Sequence, residues 1–400
     1  MNRPLDGCTV VDLTTMVAAP AAGRLLADLG ARVIKIEPPQ GDNWRNSGIN
    51  SGSTRFSHKE NPIFDLYNNG KDMICLNLKT DQGMAVMHQL LEKADVFITN
   101  NRPASLERMG LDYQTLHKKF PRLIYGVVRG FGAKGPEAEK KAYDTTAFWA
   151  RTGFLRDQAV VMPDGQYEPV NPPISVGDSY TGTILAMQIL AALLQLQQTG
   201  EGQLVSASLY HVGIFAMASM IVKSQRPFGP EVPNTRAAVR PGSGAFLCAD
   251  GEWIFASDDP FLYFRLAGRE ALCRDPRLQE ANRAQNREYL LQCMQECIRT
   301  KTCKQWLEEL QPYDTPCVRL AQFADPSEDP QAWENDFIRS VEYPTGYTHR
   351  VPTSPIEMEQ VSVPALDVTK AIGQDTDKVL LELGYSPEII AEMKASGAIR

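Results

Sequence analysis

The chain has 400 residues, 43% of them hydrophobic and 22% charged, with a net charge of −7. That composition is ordinary for a globular protein and excludes a disordered or low-complexity chain. The acidic balance argues against a nucleic-acid binder, which would carry a basic excess or stripe. At this length one large domain plus a smaller one is expected. The opening Met1-Asn2-Arg3-Pro4-Leu5-Asp6-Gly7 lacks the apolar core of a secretion signal. The longest apolar stretch, 184–196, is interrupted by Gln188 and Gln195 and reads as a buried helix too short to span a bilayer. A cytoplasmic protein with neither a membrane nor a nucleic-acid partner is therefore expected.

In chain order, apolar strands are expected at 9–13, 33–37, 73–78, 96–99 and 123–128. Helices are expected between them, notably 21–29, opened by Pro20 and closed by Gly30, and 82–93. Strands alternating with helices imply a mostly parallel sheet covered on both faces. A loop-rich region with Pro136, Gly153, Pro163, Gly165, Pro169, Pro172 and Pro173 precedes a long helix at 179–198, closed by Thr199-Gly200-Glu201-Gly202. A second apolar helix is expected at 209–223. The texture then changes. Pro227, Gly229, Pro230 and Pro233 mark a linker, and strands at 244–249 and 253–257 flank Asp250-Gly251 as a hairpin. Helices follow at 260–266, 287–298 and 303–310. The tail returns to strands at 340–343 and 361–364 and to helices at 376–383 and 387–395. The domains expected are 1–223, a large Rossmann-like part; 224–330, a small α+β domain with linkers; and 331–400, a return to the large domain.

The eight cysteines are scattered, and the nearest to a cluster, Cys293, Cys297 and Cys303, has no histidine to complete a zinc pattern. Reduced thiols and no metal site are expected. The first strand–loop–helix lacks Gly-x-Gly-x-x-Gly, so a dinucleotide site is not expected even though Glu37 ends the second strand. Asp178, in Gly177-Asp178-Ser179-Tyr180-Thr181-Gly182, stands directly before the long helix and reads as its N-cap. A carboxylate fixed there, ionised at pH 7 and approached over Gly177, could also attack an activated acyl carbon. Asn100-Asn101-Arg102-Pro103 and Arg108 follow a strand at the carboxyl edge, where open α/β sheets bind ligands, and their cations suit phosphates. Lys141-Ala142-Tyr143-Asp144, after Lys134, Glu137, Glu139 and Lys140, reads on its own as a solvated charge run.

These residues resemble the class III CoA-transferases nearly end to end. The likeness runs through Pro4-Leu5-Asp6-Gly7, Leu25-Leu26-Ala27-Asp28-Leu29-Gly30-Ala31 with Val33-Ile34-Lys35-Ile36-Glu37, and Leu106-Glu107-Arg108-Met109-Gly110. It continues in Gly130-Phe131-Gly132 with Gly135-Pro136, and in Gly177-Asp178-Ser179 with Thr199-Gly200-Glu201-Gly202-Gln203. The resemblance implies that Asp178 is the nucleophile. It would form first a mixed anhydride and then an aspartyl-CoA thioester, with coenzyme A thioesters as substrates and no permanently bound cofactor. It implies CoA contacts at Met16, Val17, Leu76, Asn100, Asn101, Arg102, Arg108, Lys141, Tyr143 and Asp144. A loop near the nucleophile is expected at Arg240-Pro241-Gly242-Ser243-Gly244. It also implies a doubly wound, mostly parallel large domain, a small α+β domain and an interlocked-ring homodimer.

Two departures bear on substrate. Pro38 stands where an arginine is common, with Arg45 as its replacement on the adenine side. Val17 stands where formyl-CoA transferase uses glutamine, which points to a larger, less polar acid. The runs 143–151 and 331–336 are similar to the phenyllactate and 2-hydroxyisocaproate branch. That implies an (R)-2-hydroxy acid acceptor, charged from an acyl-CoA or 2-enoyl-CoA in amino-acid fermentation. The alternatives are an acyl-CoA racemase of the same superfamily and a non-catalytic acyl-CoA-binding protein. Racemases show Gly-His-Asp where this chain has Ala142-Tyr143-Asp144, and a phenol of pKa about 10 is a poor base.

Overall fold

Apolar runs of four to six residues alternate with amphipathic segments over the first half of the chain, and a parallel sheet results. The computed structural model describes residues 3–47, 60–162, 164–225, 242–368 and 370–400. Two units form: Met1–Val222 with Pro330–Arg400, and Lys223–Asp329. The larger begins with β1 (Thr9–Leu13), α1 (Ala18–Asp28), β2 (Arg32–Glu37), α2 (Pro62–Asn68), β3 (Asp72–Cys75) and α3 (Asp81–Lys93). β4 (Val96–Thr99), α4 (Pro103–Met109), α5 (Tyr113–Lys119) and β5 (Ile124–Arg129) follow. Next come a π-helical turn (Asp144–Ala150), α6 (Phe154–Asp157), a small hairpin of β6 (Val160–Val161) and β7 (Tyr167–Glu168), α7 (Val176–Thr199), β8 (Leu204–Ser208), α8 (Leu209–Ala216) and α9 (Ala218–Lys223).

The sheet runs β3-β2-β1-β4-β5-β8 with every neighbouring pair parallel. Its order reverses between β1 and β4, so the loops leaving those strands part and open a crevice at the carboxyl edge. One face buries Val11, Ile34, Phe97 and Val127 under α3, α4, α5 and the terminal helices. The other buries Val10, Ile98 and Val128 under α1 and α7. On α7, Leu185, Ile189 and Leu196 face this core, each burial contributing roughly 1.5–3 kcal/mol. Gly182 lets α1 and α7 close on each other, since a Cβ there would meet the carbonyl of Ala18 and lie 2.7 Å from Ala21 Cβ. By length and composition α7 could cross a bilayer, and it leaves Met187 and Leu194 exposed.

Five expectations shift. α1 begins at Ala18 rather than 21, and Pro20 sits inside its first turn, where backbone N–H groups lack helical partners anyway. α7 begins at Val176 rather than 179. The apolar run 209–223 is two helices, breaking at Met217. β3 stops at Cys75, and Leu76, whose N–H still donates to Glu37 O, forms a single bridge to the C-terminal Ile399. In the tail, Ile338–Glu342 pairs antiparallel with Thr348–Pro352, whereas 361–364 forms no strand beyond a single bridge between Met358 and Val361.

In the smaller unit, Gly244–Leu247 and Trp253–Ala256 form the hairpin expected around Asp250-Gly251, and Cys317–Arg319 adds a third antiparallel strand. Helices Arg287–Ile298 and Cys303–Leu310 close its core on Tyr263, Trp306 and the free, buried thiols of Cys293, Cys297 and Cys303. The expected linker prolines lie outside the described residues.

Candidate active site

The crevice is framed by buried charge pairs. Lys71 Nζ meets Asp12 at 2.8 Å, Lys35 Nζ meets Asp42 at 2.9 Å, and Arg45 grips Glu37 through two bonds of 2.7 Å, all six side chains being buried. Desolvation of such ions is offset only by close pairing of this kind. Asp42 then uses its other oxygen on the β1–α1 loop, accepting from Thr15 Oγ1 at 2.6 Å and from Met16 N at 3.1 Å. This fixes Met16 at φ +68, a region costly to a side chain of its size. Asn100, at the end of β4, closes the clasp: its Oδ1 accepts from Thr15 N at 3.0 Å and its Nδ2 donates to Thr15 O at 2.7 Å.

Two cavities open on either side of this clasp and share Thr15, Asn43 and Asn101. One, of about 830 Å³, lies over β2 and β3 between Pro38, Leu76, Lys79 and Arg108. The other, of about 530 Å³, lies over β4 and β5 and is lined by Met16, Asn100, Arg102, Arg129, Lys141, Tyr143 and Asp178.

Asp178 is the third residue of α7, not its N-cap; that position belongs to Ser175 at φ +72, whose side chain caps nothing. The carboxyl is not simply ionised either. Burial, and then the charge of Asp144, push its pKa up to about 7, so near neutrality both forms are populated. Asp144, in the first turn of the π-helix, is buried, and its own pKa is raised by that burial. The N–H groups of Ser175 and Gly177 and the Trp149 indole lean toward it and moderate the rise, without reaching hydrogen-bond geometry. Gly177 gives no room for a ligand: a Cβ there would collide with Asp144 and with the ring of Phe148. The glycine serves the close seating of α7 on the π-helix. On the other flank Ser179 Oγ lies 3.5 Å from Tyr67 Oη of α2.

A partly exposed carboxyl, poised between its two protonation states beside a cavity lined by several cations, suits covalent acyl transfer. A model described as CoA-transferase family III matches residues 5–376. The chain belongs to that family. This CoA-transferase is 35% identical to the (R)-2-hydroxy-4-methylpentanoate CoA-transferase of Clostridioides difficile, over 99% of each chain. It is 32% identical to the cinnamoyl-CoA:phenyllactate CoA-transferase of Clostridium sporogenes, over 97% of this chain and 95% of that one. A crystal structure of a CAIB/BAIF family protein from Brucella suis matches with a TM-score of 0.80 at 27% identity, covering 96% of this chain and all of that one.

Of the residues singled out from sequence, Met16, Asn100, Asn101, Arg102, Lys141, Tyr143 and Asp178 line the smaller cavity of the CoA-transferase, and Leu76, Asn101 and Arg108 the larger. Asn100 lines it with both ends of its amide already spent on Thr15. Val17 is buried and lines neither cavity. Asp144 lies behind Gly177 rather than on the surface. Arg45 cannot stand in for the arginine replaced by Pro38. It is buried, paired with Glu37, bonded to the Lys370 carbonyl and stacked 4.2 Å over Phe64. Gly242, Ser243 and Gly244 belong to the smaller unit, where Ser243 Oγ lies 3.3 Å from Ser257 Oγ; Arg240 and Pro241 lie outside the described residues. Sequence reasoning missed Lys79, Asn43 and Arg129. Arg129 had a signal, a lone charge ending an apolar strand at the sheet's carboxyl edge.

Proposed function

We propose that this CoA-transferase moves CoA from an acyl-CoA or 2-enoyl-CoA to an (R)-2-hydroxy acid, with Asp178 as nucleophile. The observation that carries the proposal is the Asp178 carboxyl on the wall of the smaller cavity, its pKa raised to about 7. Ionised, it has the basicity of a nucleophile rather than of an ordinary surface carboxylate. Its oxygen attacks the donor thioester carbon and expels CoA thiolate, giving a mixed anhydride. The thiolate attacks the aspartyl carbonyl and releases the donor acid, leaving an aspartyl-CoA thioester. The acceptor carboxylate displaces the thiolate to form a second anhydride, and the thiolate then takes the acceptor acyl group and frees Asp178. Every step exchanges one activated acyl bond for another, so no ATP is consumed and no resident cofactor takes part.

The hydroxy-acid names of the two relatives support the acceptor class. A homodimer working in the cytoplasm, in amino-acid fermentation, completes the reading. The test is to incubate the protein with an acyl-CoA and a panel of 2-hydroxy acids, then trap Asp178 as a hydroxamate with hydroxylamine. New 2-hydroxyacyl-CoA and a modified Asp178 are expected. Exchange of the α-proton in deuterated water without an acceptor would instead mark a racemase, and absence of any adduct a binding protein.

A further inference from the structure

β5 reads Ile124-Tyr125-Gly126-Val127-Val128-Arg129, five buried residues and then a cation. Side chains alternate along a strand, and Tyr125 and Val127 pack into the core under α4 and α5. Arg129 therefore leaves the sheet on that same side, where its charge acts on Tyr125. Asp178 reaches the shared cavity from α7, which covers the opposite face. The guanidinium Nε of Arg129 is screened from solvent and donates to no acceptor. Among the described residues no carboxylate lies within ion-pair distance of it.

The fully buried cations of this fold are each paired. Arg24 has Asp28 at 2.7 Å, Arg45 has Glu37, and Lys35 and Lys71 have Asp42 and Asp12. An arginine cannot discharge itself by losing a proton, and a donor kept from both water and protein acceptors is costly. A ligand oxygen supplies what is missing. We propose that Arg129 is a binding residue for a phosphate oxygen of the CoA moiety. This rests on the CoA-transfer reading above. The reacting carboxylate must sit at the Asp178 carboxyl, on the far side of the cavity. The phosphates of CoA lie at the other end of its pantetheine arm and fit the side from which Arg129 enters. Arg102, Lys140 and Lys141 line the same cavity and outweigh Glu139, the other acid there besides Asp178.

The test compares CoA with pantetheine, which lacks every phosphate, by calorimetry on the wild-type protein and on Arg129→Gln and Arg129→Lys. For Arg129→Gln the CoA dissociation constant should rise about 10- to 100-fold, the worth of a charge-assisted bond. Pantetheine binding should not change. Arg129→Lys keeps the charge without the fork and should fall between. In turnover, KM for the acyl-CoA should rise while KM for the acid stays put. The proposal is overturned if CoA binding is unchanged, if CoA and pantetheine weaken together, or if only KM for the acid rises. Failure of the wild-type protein to bind CoA would overturn the CoA-transfer reading itself, whereas wild-type binding that Arg129→Gln leaves intact sinks the Arg129 assignment alone.

Discussion

Two clusters of charge lie at the carboxyl edge of the same sheet, and they are built on opposite plans. Around β1 and β2 every acid has its cation: Asp12 with Lys71, Asp42 with Lys35, Glu37 with Arg45. At the start of α7 two acids, Asp144 and Asp178, face each other's fields with no cation between them. Paired charges hold loops; unpaired ones keep their reactivity. The first cluster is scaffold for the β1–α1 loop, the second holds the carboxyl we propose as the acyl-transfer group, and exchanging their partners should exchange their behaviour.

The sharpest contrast comes from Asp178→Asn. Turnover should fall on the order of 10⁴-fold or more, as when a covalent nucleophile is removed. The fold should not suffer. An acid whose folded pKa is raised stabilises the protein below its unfolded pKa, and that stability is lost as pH rises from about 4 through about 7. The amide has no such loss, so the thermal midpoint of Asp178→Asn should gain on the wild type between pH 5 and pH 8. Lys71→Ala should do the reverse. Leaving Asp12 buried and alone costs about 3–5 kcal/mol, measurable as a lower denaturant midpoint. A stability cost at Asp178 as large as at Lys71 would erase the distinction between the clusters.

Gly177→Ala should cost about 1–3 kcal/mol, because its methyl meets Asp144 and Phe148 with nowhere to go. The smallest effect is a displacement on the pH axis. Activity should rise with pH through about 7 as Asp178 ionises. Asp144→Asn removes the neighbouring charge and should move that limb of the kcat/KM profile to lower pH. A limb that stays in place would leave burial as the sole cause of the shift.

The strands of the large sheet were legible because each is a short apolar run bounded by helix signals, and the family because its motifs run nearly end to end. What escaped depended on contacts between distant parts of the chain. Nothing local says that Arg45 turns inward to Glu37, that Asn100 spends its amide on Thr15, or that Arg129 finds no acceptor. The N-cap reading of Asp178 failed for a related reason. The π-helical turn supports α7 from outside, so the helix begins three residues earlier than its own capping signals indicate. Nor does anything local say that Leu76, just past β3, bridges to a residue more than three hundred positions away.

The clasp of Thr15 and Asn100 stands as a ridge between the two cavities, with Asn43 and Asn101 beside it. Any single molecule that fills both must drape over that ridge. A ligand held by Arg108 at one end and reacting at Asp178 at the other would need a tether long enough to cross it, and a shorter one would reach one end only by letting go of the other.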